Sequence, residues 1–158
     1  MPPPTDKKAP ACPPALQVDT AYLQTLLGYN ARRAALTVIA LFVPRMAAYG
    51  LRPVDFSILS VIRHNPGITS KQLCTALSLL PPNLVGKIGA LDKRGLLTRC
   101  PHPQDGRALG LHLTAAGDAL MAQAETTAFE LEKDVTRALT PAERRTLNRL
   151  LQKVYRSE

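Results

Sequence analysis

Residues 84–117 read LVGKIGALDKRGLLTRCPHPQDGRALGLHLTAAG, and the hydrophobic period changes partway along. Leu84, Ile88 and Leu91 recur at i, i+4 and i+7, the stripe of a helix packed on one side. Gly95 is placed as a helix stop. Beyond it, Leu109, Leu111 and Leu113 alternate with Gly110, His112 and Thr114, which is strand spacing. Between helix and strand lies a polar, proline-bearing tip, CPHPQDGR. The stretch therefore predicts a helix, then a ribbon of Leu97–Cys100 out and Gly106–Leu113 back. Thr114 is set to cap a further helix.

Upstream, Pro53 to His64 carries Phe56, Leu59 and Ile62 at helical spacing and ends at the turn Asn65-Pro66-Gly67. Thr69 or Ser70 caps a short helix with Leu73, Cys74 and Leu77 inward, and Leu80-Pro81-Pro82 opens the next one. Two short helices joined by a tight turn, the second basic and followed by a ribbon, make a winged helix-turn-helix. Asp19 or Thr20 would cap a long helix running to about Met46, with Pro44 kinking or ending it. Ala115 to about Ala138 forms a second long helix. Thr140-Pro-Ala-Glu143 is a capping box for a last one bearing Leu147, Leu150, Leu151 and Val154. The expected fold is mainly α with a small β-hairpin wing. A proline-rich arm, residues 1–17, is expected to be disordered. A single domain follows over 18–158: a winged helix-turn-helix lobe at 51–114, flanked by dimerisation helices at 18–48 and 115–158.

Charge points the same way. The 158 residues carry a net charge of +8, with a pI of about 9.8, which favours an anionic partner. Residues 63–107 hold seven Lys/Arg against two acids, whereas residues 115–158 hold seven of each sign. No acid occurs between Asp55 and Asp92. Cys12, Cys74 and Cys100 are too scattered for a disulfide framework or a zinc site. The three histidines are scattered and there is no Gly-rich phosphate loop, so neither catalysis nor a cofactor is expected. No signal peptide or membrane span is read, which predicts a cytoplasmic protein.

These residues resemble the MarR family of bacterial transcription regulators. The resemblance is carried by Leu51-Arg52-Pro53-Val54-Asp55-Phe56-Ser57-Ile58-Leu59, by Pro82-Asn83-Leu84-Val85 and by Leu91-Asp92-Lys93-Arg94-Gly95-Leu96-Leu97-Thr98-Arg99. Asp105-Gly106-Arg107 followed by Leu111-His112-Leu113-Thr114-Ala115-Ala116-Gly117 completes it, and the match covers roughly residues 20–155. A second arginine often stands in the family where this chain has Gly106.

Opposite the Leu84 stripe, Pro82, Asn83, Gly86, Lys87 and Ala90 are expected to face the major groove. Asn83 suits an adenine edge and Lys87 a guanine or a phosphate. Lys71 and Gln72 suit phosphate contact. The resemblance implies a minor-groove or phosphate contact from Arg107, oriented by Asp105, with His102 and Gln104 secondary. It also implies a homodimer on double-stranded DNA, with Leu23, Leu147, Leu150, Leu151 and Val154 at the interface. The run Gly28-Tyr29-Asn30-Ala31-Arg32-Arg33 resembles repressors of aromatic-acid catabolism. It implies release by an aromatic carboxylate or its CoA thioester, held by Tyr29, Arg32 and Arg33, with His64 lining the pocket. A cysteine-based redox switch, with Cys100 the better thiol, is the rival mechanism. A non-specific architectural DNA binder is the rival function.

Overall fold

A computed structural model describes residues 18–102 and 105–156, with side chains described throughout except at 102–108. The expected arm, residues 1–17, lies outside them. The elements are α1 (Ala21–Gln24), α2 (Leu27–Met46), a 3-10 turn (Ala47–Tyr49), α3 (Pro53–His64), β1 (Ile68–Thr69) and α4 (Ser70–Leu77). After them come α5 (Pro81–Lys93), β2 (Leu97–His102), β3 (Asp105–Leu113), α6 (Ala115–Val135) and α7 (Pro141–Tyr155). The chain divides into two compact units, Met1–Ala34 and Ala35–Glu158, with the boundary inside α2.

In the first unit the expected continuous helix is broken at Thr25–Leu26. Side chains account for the break. Thr25 Oγ1 donates to the Tyr22 carbonyl at 2.7 Å, and Asn30 Nδ2 donates to the carbonyls of Gln24 and Leu26 at 2.8 and 2.9 Å. Short polar side chains thereby compete with the helical ladder for its acceptors.

In the second unit Pro44 stays inside α2, which runs to Met46 before tightening into the 3-10 turn. α4 begins with a reciprocal capping box. Gln72 N–H donates to Thr69 Oγ1, and Gln72 Oε1 accepts from the Thr69 N–H. It ends at Ser78 in the left-handed region (φ 51°), with the Leu79 N–H reaching the Cys74 carbonyl at 3.0 Å. Pro81 and Pro82 then occupy the first positions of α5, where no amide is needed. That helix stops as its sequence predicts. Gly95 (φ +68°) donates to the Asp92 carbonyl at 2.8 Å and Leu96 to the Leu91 carbonyl at 3.1 Å, with Leu91 and Leu96 both buried.

The ribbon is an antiparallel pair with Leu97 opposite Leu113 and Arg99 opposite Leu111, longer at the tip than expected. A third strand, β1, pairs Ile68 with Leu111 on the other side of β3, giving the order β1-β3-β2. The core lies among α3, α4, α5, the sheet and α6. Ile58, Leu59, Ile62, Leu73, Leu84, Leu97, Leu111 and Met121 are essentially sealed from water. Thr114 caps α6 through the Gly117 N–H at 3.0 Å, and α6 ends at Val135, three residues short of expectation. The Thr140/Glu143 box opens α7 as read, and those hydrogen bonds hold the Glu143 carboxyl below its ordinary range.

Gly117 is fixed by space, since a Cβ there would sit 1.9 Å from the Leu96 carbonyl oxygen. Gly117→Ala is expected to cost about 1–3 kcal/mol by overpacking. Ser78→Gly, relieving a left-handed serine in the turn between α4 and α5, is expected to add about 0.5–1 kcal/mol. Urea unfolding of both variants checks the two signs.

Candidate nucleic-acid interface

α5 turns its apolar stripe, Leu84, Ile88 and Leu91, fully inward. Pro82, Asn83, Gly86 and Ala90 are left exposed on the opposite face, as their spacing predicts. Lys87 departs from that expectation. Its Nζ donates to Asp55 Oδ1 at 2.9 Å, on the first turn of α3, and its side chain is only 34% exposed. Asp55 is the one charged residue among those described that counts as buried. Its other oxygen, Oδ2, accepts from the Arg52 N–H at 3.3 Å. A carboxylate in the first turn of a helix is favoured by the helix dipole, but a buried one needs a counter-charge, and Lys87 supplies it. Lys87 is therefore directed along the flank toward α3 rather than outward with Asn83.

Sequence reasoning missed Val85, which is 65% exposed on the opposite flank, toward α4. Val85 lines a cleft of about 400 Å³ with Lys71, Cys74, Thr75 and Pro81. An apolar residue directly after Leu84 carries no local sign of its side, and the helix's rotation leaves it exposed. Lys71 is exposed on α4, as expected for a phosphate contact. Gln72 is exposed too, but its carbonyl oxygen is taken by the cap and only its amide nitrogen is left to donate outward. Asp105 and Arg107 stand on the first residues of β3. Their side chains, and that of His102, lie outside the described part, as does all of Gln104. Arg94, in the helix-end motif, is structural: its guanidinium donates to the carbonyls of Gly50 and Tyr49 at 2.9 and 3.1 Å. Arg99 sits 3.6 Å from Asp92.

A second polar group ties this lobe to α6. Glu125 accepts from Ser60 Oγ at 2.8 Å and from Arg63 Nη1 at 2.7 Å, with His64 Nε2 at 3.1 Å. Arg63 Nε also donates to Asp118 at 2.9 Å. Burial alone would push the Glu125 carboxyl up. The hydrogen bonds from Ser60 and Arg63 and the charges of His64 and Arg63 outweigh it and hold the group below its ordinary 4.5. His64, expected in an effector pocket, is occupied here as part of the α3–α6 contact. Tyr49 and Thr127 hydroxyls at 2.7 Å, and Arg45 with Asp134, extend the same seam.

The remaining expected residues sit on the outer helices. Tyr29 is half-buried, and Arg32 and Arg33 are exposed one turn further along α2. Leu147, Leu150, Leu151 and Val154 are 44, 48, 36 and 62% exposed, and α7 buries no residue within this chain. Leu23 on α1 is 40% exposed. Cys74 is half-buried and Cys100 exposed. Among the described residues, no three His, Cys, Asp or Glu side chains lie together as a metal site, and no single helix is long and apolar enough to cross a membrane.

Comparison with known proteins places this arrangement. Residues 49–108 match the model of the MarR family. A protein of Thauera aromatica assigned to transcriptional regulation of the hcr operon is 30% identical over 133 residues, covering 84% of this chain and 80% of that one. The homoprotocatechuate degradative operon repressor of Escherichia coli is 26% identical, covering 81% of this chain and 84% of its own length. The transcriptional repressor CouR, bound to a 23-mer DNA duplex, superposes with a TM-score of 0.82 at 35% identity, covering 89% of this chain and 99% of that one. CouR bound to p-coumaroyl-CoA gives 0.79 at 33% identity, covering 90% of this chain and all of the other. The chain belongs to the MarR family of winged-helix transcription regulators.

Removing Lys87 leaves Asp55 buried without its counter-charge. Lys87→Met is expected to cost about 1–3 kcal/mol, and adding Asp55→Asn to recover part of it, in a double-mutant cycle of urea unfolding. Glu125 titrates below its ordinary value in the folded chain, so its stabilising contribution is present above pH 4.5 and lost as the pH falls further. The melting temperature should therefore drop more steeply below pH 4.5 in the wild type than in Glu125→Gln.

Proposed function

We propose that this protein is a homodimeric, sequence-specific repressor that acts in the cytoplasm on a pseudo-palindromic operator and is released by a small-molecule effector. The observation that carries the reading is the exposed face of α5, set between Lys71 on α4 and a ribbon bearing Arg107, within the chain's most basic segment. The CouR complex with a DNA duplex supports it. Two copies would be joined through the terminal helices of one domain spanning 18–158. The uncovered leucines of α7, with Leu23, support that assignment. An aromatic carboxylate or its CoA thioester is the effector class. Support comes from CouR bound to p-coumaroyl-CoA and from the homoprotocatechuate operon repressor. Tyr29, Arg32 and Arg33, spaced i, i+3 and i+4, present one aromatic ring and two guanidiniums along a single side of α2, suited to such an acid. In this reading Arg107 contacts the minor groove or a phosphate, and the chain has no catalytic role.

A mobility-shift titration against DNA upstream of the protein's own gene tests this. A shifted complex that survives excess random duplex is expected. Its affinity should fall by about 10³-fold or more between about 50 and 200 mM salt. Arg107→Ala should weaken the complex while sedimentation still shows a dimer. Equal affinity for random DNA, or a wild-type monomer, contradicts the proposal. Aromatic acids and their CoA thioesters, added to the preformed complex, should release it, and Arg32→Ala should raise the concentration needed by about tenfold. Release at unchanged concentration would remove Arg32 from the effector site.

A further inference from the structure

The exposed face of α5 is chemically unusual for a surface that meets DNA. Its centre is Pro82, Gly86 and Ala90, with the half-buried Gly89 beside them, flanked by Asn83 on one side and Val85 on the other. Asn83 is the sole hydrogen-bonding side chain exposed there over the first three turns, because Lys87 is held by Asp55. Lys93 lies on the same side but about 16 Å further along the axis from Pro82. A hydrogen-bond code read by this helix thus has one letter.

Val85 supplies another kind of contact. A 65% exposed valine gains nothing for this chain's core. In the major groove the one apolar group at a base edge is the thymine 5-methyl. The glycines beside it support a close approach. A Cβ at Gly86 or Gly89 would meet nothing within 4 Å in this chain, so internal packing requires neither. Each weakens the helix by about 1 kcal/mol relative to alanine. We infer that Val85 is a specificity-determining residue that packs on a thymine methyl in each operator half-site, and that this helix does not read guanine through Lys87. The inference rests on the operator-binding reading above. It predicts half-sites defined by A·T pairs under α5, an adenine at Asn83 and a thymine at Val85.

The test uses the full-length dimer and the duplex protected in a footprint of the DNA upstream of its own gene. Fluorescence anisotropy compares that duplex with the same sequence carrying deoxyuridine for thymine in both half-sites. One buried methyl is worth about fourfold, so the two half-sites should lose about fifteenfold. Val85→Ala should weaken the thymine duplex by a similar factor and abolish the thymine–uracil difference. Gly86→Ala should melt higher than the wild type and yet bind the operator more weakly, a pairing that a purely structural glycine would not produce. Equal affinity of the wild type for the two duplexes, or discrimination that persists in Val85→Ala, overturns the inference while the repressor reading stands. A wild type that protects no sequence and binds random duplex equally overturns both.

Discussion

Folding takes the charge of Asp55 out of water, and the way that charge is answered sets the face that α5 offers to a partner. The carboxylate sits in the first turn of α3, where the helix dipole favours it, but its burial demands a cation within reach. Lys87 Nζ at 2.9 Å meets the demand from the middle of α5. Together with the Leu84, Ile88 and Leu91 stripe, that bond defines the rotation of α5 about its own axis. Such a pair is a weak source of net stability, since both partners lose hydration. Its consequence is orientation. Pro82, Gly86 and Ala90 are turned out, Val85 is placed on the α4 flank, and the helix's central cation, partly exposed, is drawn toward α3.

The seam between α3 and α6 is built differently. Ser60, Arg63 and His64 converge on Glu125, with Asp118 on the far side of Arg63. These side chains range from partly buried to largely exposed, and Arg63, Glu125, Asp118 and His64 are 24, 23, 58 and 65% exposed. Exposed ion pairs of this kind contribute about 0–1 kcal/mol each. These polar contacts lie beside apolar packing of α6 itself, whose Met121, Ala124 and Leu131 are sealed in the core.

Local signals in the sequence carried most of this architecture. The change from helical to alternating period after Gly95 marks the wing, and Gly95 itself is the left-handed stop. Thr69, Thr114 and Thr140 cap the helices their spacing assigns to them. What escaped were features with no local signature. The break at Thr25–Leu26 depends on Asn30 reaching back to two carbonyls, and β1 is two residues long and exists through its pairing with β3. At the candidate site Asn83, Gly86 and Lys71 were legible because helical spacing alone puts them outside. The turn of Lys87 toward α3 depends on a partner 32 residues away, and Val85 was not singled out because an apolar letter beside a core leucine gives no hint of its side.

A crystal structure of the dimer on its operator would test most directly whether the Asp55–Lys87 pair governs how α5 meets DNA. Lys87 Nζ should remain within hydrogen-bond distance of Asp55, with the Val85 methyls against a thymine 5-methyl in each half-site. Lys87 released from Asp55 and bonded to a guanine edge, with Val85 away from the bases, would contradict it.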